Sequence, residues 1–186
     1  MIINGKKLLE LAPIKDMASQ KHHSHGVSWG LAEAGYDIRI KQKVIFKNDA
    51  WGPGSGRTVA TKWTEEDGTR MGNVWKGRFV LASAIEEFDM PNCLVGIVHD
   101  KSTWARRGLS VFNTVIEPGF RGGLTLELVF HGDGELIIPA GSGIAQVLFH
   151  TIAEPAEYAG KYQFQSTDPE PARDQENKPV PAKRAK

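Results

Sequence analysis

Four short stretches hold the side chains from which chemistry could be built. In "LTLEL" (124–128) three leucines alternate with Thr125 and Glu127, the period-two pattern of a strand with one apolar face. A glutamate on the second face ordinarily meets water. In a desolvated position its pKa rises instead, and the carboxyl can take and return protons near neutral pH. "HDKSTWARRG" (99–108) gathers Lys101, Ser102, Arg106 and Arg107 behind a strand; Lys and Arg supply charge, Ser a small hydroxyl, and Arg grips phosphate oxygens through two donors. "IEPGFRGG" (116–123) sets glycines on both sides of an aromatic, and "PAGSGIAQVLF" (139–149) sets glycines ahead of a strand bearing Gln146. Such glycines let backbone approach a ligand closely. Each stretch also has a plainer reading: a solvated basic face, ordinary turn geometry, an exposed strand position.

Other candidate chemistry is thinner. "HHSHG" offers His22, His23 and His25 to a metal, but no Asp, Glu or Cys stands beside them at a familiar ligand spacing, and three histidines in a loop are more often surface residues. His99, His131 and His150 fall at strand ends, as structural or exposed positions. Cys93 is the single cysteine, which excludes an intrachain disulfide and a cysteine-rich zinc site.

The elements that must position these residues read as one mainly β domain. Within 186 residues, 40% are hydrophobic and 24% charged, ordinary for a globular chain with a core. A net charge of +1 offers no overall field for nucleic acid or an acidic membrane. The N-terminus lacks an apolar run of signal-peptide length, and no stretch approaches the roughly 20 apolar residues of a membrane span; a cytoplasmic protein is expected. A short helix is expected around Lys6–Leu11, with "HHSHG" as a loop. From about Ala34 the chain reads as short strands: "YDIRIKQKVIF", with Ile38, Ile40 and Val44 facing one way, then "RFVLAS", "CLVGIVH", "LSVFNTV", "LTLELVF", "ELIIPA" and "IAQVLFH". The Asp-Gly pairs of "EEDGTR" and "HGDGEL" are hairpin signals. Trp51, Trp63, Trp75 and Trp104 read as core or interface, Trp104 packing behind the basic stretch. The segment 166–186, with four prolines and no aromatic or leucine, is expected to be a disordered tail on a domain spanning 1–165.

Taken in order, these stretches resemble the motifs of the dUTPase/dCTP deaminase superfamily over roughly residues 30–165. "AEAGYDIRI" (32–40) is similar to the first motif, "DKSTWARRGL" (100–109) to the second, "TVIEPGFRGGLTLEL" (114–128) to the third and "PAGSGIAQVLF" to the fourth. "YAGKYQFQ" (158–165) resembles the C-terminal motif of the deaminases and stands where dUTPases carry a glycine-rich ending. The resemblance implies a distorted β-sandwich or jelly-roll-like barrel of the dUTPase type. It also implies a homotrimer with active sites at subunit interfaces. Glu127 stands where the deaminases have a glutamate and dUTPases an apolar residue, so the implied activity is a dCTP deaminase giving dUTP and ammonia. A bifunctional enzyme giving dUMP, and a dUTP pyrophosphatase, are the alternatives; a nucleotide-sensing or protein-binding trimer is the non-enzymatic one.

The resemblance also implies roles. Glu127 is the general acid/base; Ser102 helps hold the water and a phosphate; Arg106 lies near the glutamate and the base. Lys101 and Gln146 touch phosphate, Phe120 stacks beside the deoxyribose, and Tyr158, Lys161 and Gln165 close over the triphosphate. The carbonyl that holds the water belongs to Asn113 or Thr114. No protein-held metal is implied: Mg²⁺ rides on the substrate triphosphate, and the H-x-E…P-C-x-x-C signature of zinc deaminases is missing. The chain departs from the pattern where Lys101 replaces an arginine, Glu117 an aspartate and Asp100 a glycine, and where the segment before Glu117 is about two residues short.

Overall fold

Apolar alternation drives most of the secondary structure, because strands that expose one face to a neighbouring layer bury every second residue. The computed structural model describes residues 1–47, 58–65, 68–76 and 78–174. In chain order the elements are β1 (Ile2–Ile3), α1 (Gly5–Leu11), β2 (Lys21–Ser24), β3 (Val27–Leu31), β4 (Tyr36–Arg39), β5 (Lys43–Lys47), β6 (Thr58–Glu65), β7 (Gly68–Lys76), β8 (Phe79–Asp89), β9 (Leu94–Asp100), α2 (Ser102–Ala105), β10 (Leu109–Val111), β11 (Val115–Ile116), β12 (Arg121–Phe130), β13 (Leu136–Ile138) and β14 (Gly143–Thr151).

Among the described residues the strands form three sheets. The largest runs β11-β9-β14-β4-β3-β2, with β1 also paired to β14; a second runs β10-β12-β8; a third runs β13-β5-β6-β7. Ile38, Val98, Ile144, Val147 and Phe149 of the first sheet meet Val80, Ala82, Leu126 and Leu128 of the second in one continuous core. The expected distorted β-sandwich with a short N-terminal helix is therefore the architecture found. Leu8 of α1 is fully buried against this core, and the helix stops at Ala12, whose left-handed backbone (φ 43°) returns its N–H to the Leu8 carbonyl.

A β-bulge joins the layers. Across β12 and β8, Gly123 pairs with Glu87 but Thr125 pairs with Ser83, so extra residues are accommodated on β8. Two of them turn to the end of β4: Ala84 bridges Ile40, just past the strand, and the Glu86 carboxylate accepts from the Arg39 backbone N–H and Nε, both at 2.8 Å. Burial pushes the Glu86 carboxyl up, against the opposing pull of Arg39.

Several local expectations change in the folded chain. "HHSHG" is a hairpin rather than a loop: His22 and His23 lie on β2, paired with Trp29 and Ser28 of β3, and His22 stacks on Trp29 at 4.6 Å. "YDIRIKQKVIF" divides between β4 and β5, which belong to different sheets, although Ile38, Ile40 and Val44 are all fully buried as their alternation requires. On either side of "EEDGTR", β6 and β7 pair antiparallel, and the turn residues 66–67 lie outside the described residues. The "HGDGEL" signal does not: β13 leaves β12 and pairs with β5, because its apolar Leu136 and Ile138 are buried there. Trp104 is buried, its indole N–H donating to the Gly143 carbonyl at 2.7 Å; the side chains of Trp51, Trp63 and Trp75 lie outside the described residues. Of the segment expected to be a tail, 166–174 is placed against the second sheet, and 175–186 lies outside the described residues.

Candidate active site

The site begins with the second face of β12. Leu124, Leu126, Leu128 and Phe130 point into the core, which leaves Thr125, Glu127 and Val129 on the other side, half-buried. Antiparallel pairing sets Glu127 opposite Leu81, Thr125 opposite Ser83 and Val129 opposite Phe79, and paired residues share a face. The strand is fixed from its other edge as well, where the Phe112 N–H donates to the Glu127 carbonyl at 3.0 Å.

Over this face lies a cavity of about 470 Å³, within the range of small-ligand pockets. Its wall includes Leu81, Thr114, Glu117, Phe120, Thr125, Glu127, Tyr158 and Gln165. Glu127 Oε2 is buried and has no hydrogen-bond partner. Burial raises the Glu127 carboxyl above its ordinary value, with only its own backbone N–H drawing it back down. An unpartnered, desolvated carboxyl facing a cavity is equipped to exchange protons with whatever fills that cavity.

The aromatic side is built by the "EPGF" turn. Phe120 donates its N–H to the Glu117 carbonyl at 3.1 Å, while the Phe120 carbonyl receives the Met90 N–H at 2.9 Å. The Phe120 ring is buried and meets Tyr158 edge-on, centroids 5.9 Å apart. Of the two residues that could supply a water-holding carbonyl, Thr114 lines the cavity, and its carbonyl accepts the Val98 N–H at 3.1 Å; Asn113 is exposed.

The C-terminal segment forms the remaining wall. Gln165 anchors it, its backbone carbonyl accepting from Gly123 N–H at 3.0 Å and its side-chain amide donating to the Gly123 carbonyl at 2.7 Å. Further on, Ser83 Oγ donates to the Thr167 carbonyl at 2.7 Å, and Lys41 Nζ reaches Asp168 at 2.8 Å. Glu170, Pro171 and Ala172 then complete the rim, the Glu170 N–H donating to Thr125 Oγ1 at 3.1 Å.

The sequence-predicted residues thus fall into two groups. Glu127, Thr114, Glu117, Phe120, Tyr158 and Gln165 come together around one cavity. Ser102, Arg106, Lys101, Gln146 and Lys161 are not in its wall. Ser102 and Arg106 are exposed at the two ends of α2. Lys101 is nearly buried, its ammonium 2.5 Å from Asp37 Oδ2 and 3.0 Å from Ser28 Oγ. Gln146 is half-buried on β14, paired with Asp37 on one side and His99 on the other. Lys161 donates to the Arg173 carbonyl and lies 5.1 Å from the Tyr162 ring centroid. The cavity also takes Tyr162 of the "GKYQFQ" motif, and two parts to which the motifs give no role, Thr125 and the 170–172 rim. Thr125 was visible in principle, since it precedes Glu127 by two residues and so must share its face.

Fold and pocket together define a β-sandwich protein with a small-molecule cavity built around a desolvated carboxyl. The chain belongs to the dCTP deaminase-like family, whose model matches residues 8–152. It is 38% identical over 167 residues to a dCTP deaminase of Campylobacter curvus, covering 84% of this chain and 87% of the relative. It is 36% identical over 171 residues to a dCTP deaminase of Helicobacter hepaticus, covering 86% and 90%. In three dimensions it matches the crystal structure of 2'-deoxycytidine 5'-triphosphate deaminase from Agrobacterium tumefaciens with a TM-score of 0.51 at 16% identity, covering 81% of this chain and 48% of that one. The family read from the motif order is borne out. Among the described residues no helix is long and apolar enough to cross a membrane.

Proposed function

We propose that this chain deaminates dCTP to dUTP and ammonia, with Glu127 moving the protons. The observation that carries this reading is Glu127 itself: its Oε2 is buried without a partner in the wall of the cavity that Phe120 and Tyr158 also line. The named relatives support it. In the proposed reaction a water oxygen bonds to C4 of cytosine while Glu127 takes its proton and passes it to N3. The C4–N bond then breaks: the remaining hydroxyl proton moves through Glu127 to the amine, ammonia leaves, and C4 keeps a carbonyl. A carboxyl whose pKa burial raises suits both transfers, because it holds the proton it takes from water more strongly than an ordinary carboxylate and can still pass it on.

Phosphate binding is proposed for Ser102 and Gln146, and Arg106 is proposed to lie near the glutamate and the base; Lys101, the other phosphate contact the motifs imply, is held by Asp37. These lie outside the cavity wall of their own chain; the homotrimer that the motif resemblance implies would bring α2 of one copy to the Glu127 cavity of the next. Exposed Phe112 and Val115, beside the cavity, are the apolar surface such a contact would cover. Mg²⁺ is proposed to enter on the triphosphate. Among the described residues no three His, Cys, Asp or Glu side chains gather as a metal site, and the phosphates would hold the ion instead. A zinc-free reaction is proposed on the missing zinc signature in the sequence. A second reading, further cleavage to dUMP, is favoured by Glu117, a carboxylate in the same cavity wall.

The test is to incubate the purified protein with dCTP and Mg²⁺ and resolve the products, beside Glu127→Gln. Release of dUTP and ammonia by the wild type, reduced at least about 100-fold in the variant, is the expected result. Ammonia release unchanged in Glu127→Gln would remove the assignment, and dUMP with pyrophosphate would establish the bifunctional reading.

A further inference from the structure

We infer that Thr125 is a substrate-binding residue, its hydroxyl donating to the C2 carbonyl of the pyrimidine held by Glu127. The inference rests on the deaminase reading of the cavity and deepens it. Thr125 lines that cavity, on the same face of β12 as Glu127 and two residues before it, a separation of about 7 Å along a strand. Its oxygen already accepts the Glu170 N–H at 3.1 Å. An N–H can only donate, so this contact leaves the threonine proton unassigned, and a hydroxyl carries one donor. Glu170, Pro171 and Ala172 close the rim beside it, and among the described residues none accepts from this hydroxyl.

The chemistry of the base selects the acceptor. If Glu127 serves C4 and N3, the ring has C5–H on one side of that edge and the C2 carbonyl on the other. C5–H accepts nothing, so the C2 oxygen is the ring acceptor within reach of a second group on the same face. Cytosine and uracil both carry it. The Thr125 contact therefore holds substrate and product alike, contributing uniform binding rather than rate. It also couples base recognition to the C-terminal segment, because one oxygen serves both the ligand and Glu170.

The experiment measures equilibrium binding of dCTP and of dUTP, with Mg²⁺, in a Glu127→Gln background that prevents turnover. Thr125→Val keeps the shape and the strand preference of the site. It is expected to weaken both nucleotides about fivefold to tenfold, and Thr125→Ser is expected to restore them. In the otherwise native enzyme, Thr125→Val should raise KM by a similar factor and leave kcat nearly unchanged. A purely structural threonine, needed only to tie down the C-terminal segment, is separated by Glu170→Pro, which removes the N–H but leaves the hydroxyl. If Thr125 touches the base, Thr125→Val still costs about fivefold or more when added to Glu170→Pro. A Thr125→Val protein that binds as well as its parent, or a loss that vanishes in the Glu170→Pro background, overturns the proposal. Failure of the underlying reading looks different: the wild type then releases no ammonia from dCTP.

Discussion

The ammonium of Lys101 lies 2.5 Å from a carboxylate oxygen of Asp37, the two side chains 9% and 3% exposed. Ser28 Oγ joins them, within 3.0 Å of Lys101 and 2.9 Å of Asp37. The pair ties the start of α2 to β4, so the residue preceding the exposed Ser102–Arg106 surface is anchored in the sheet. Removing one charge would leave the other buried and uncompensated. Lys101→Met is expected to lower stability by about 3 kcal/mol, read as a shifted urea midpoint. A loss near zero would mean that water replaces the ion pair.

Glu127 makes stability depend on pH in an unusual direction for a carboxylate. Burial raises its folded-state pKa above 4.5, so folding favours the protonated form. That stabilisation is complete below the unfolded value and is lost as pH rises through the raised folded value. Glu127→Gln stays neutral throughout. It is expected to match the wild type in Tm below about pH 4 and to exceed it above neutrality. Equal Tm values across that range would contradict a desolvated carboxyl.

Gly123 has no room for a side chain. A Cβ there would meet the Ser166 carbonyl oxygen at 2.3 Å and Thr167 Cα at 2.6 Å. Both obstacles are backbone, so Gly123→Ala is expected to displace 165–168 and open the rim at Glu170. Limited proteolysis should cut the variant within 166–174 faster than the wild type. Unchanged protection would show that β12 yields instead.

If sites are shared between copies, two inactive variants should repair one another. Arg106→Ala and Glu127→Gln are each expected to lose activity alone. Unfolded together and refolded as mixed trimers, they should regain it at roughly a quarter of the sites. Mixtures no more active than their parts would place Arg106 and Glu127 in one chain's site.

Much of this molecule follows from local pattern. Leu124, Leu126 and Leu128 alternate with Thr125 and Glu127, and strand geometry alone then sends the leucines inward and leaves the glutamate on the other face. The order of five motifs was enough to reach the family. What the chain alone left undecided depends on contacts distant in sequence. The Asp133-Gly134 pair reads as a hairpin signal, yet β13 pairs with β5 because that is where Leu136 and Ile138 are buried. Proline-rich 166–174 reads as disordered, yet Ser83, Lys41 and Thr125, all more than forty residues away, hold it against the sheet. Lys101 reads as a phosphate contact or part of a solvated basic face, yet Asp37 lies beside it. Composition and periodicity report each residue's own preferences. Whether Glu127 is desolvated, and whether Lys101 is paired, are decided only when the sheets close and bring other charges, or none, within reach.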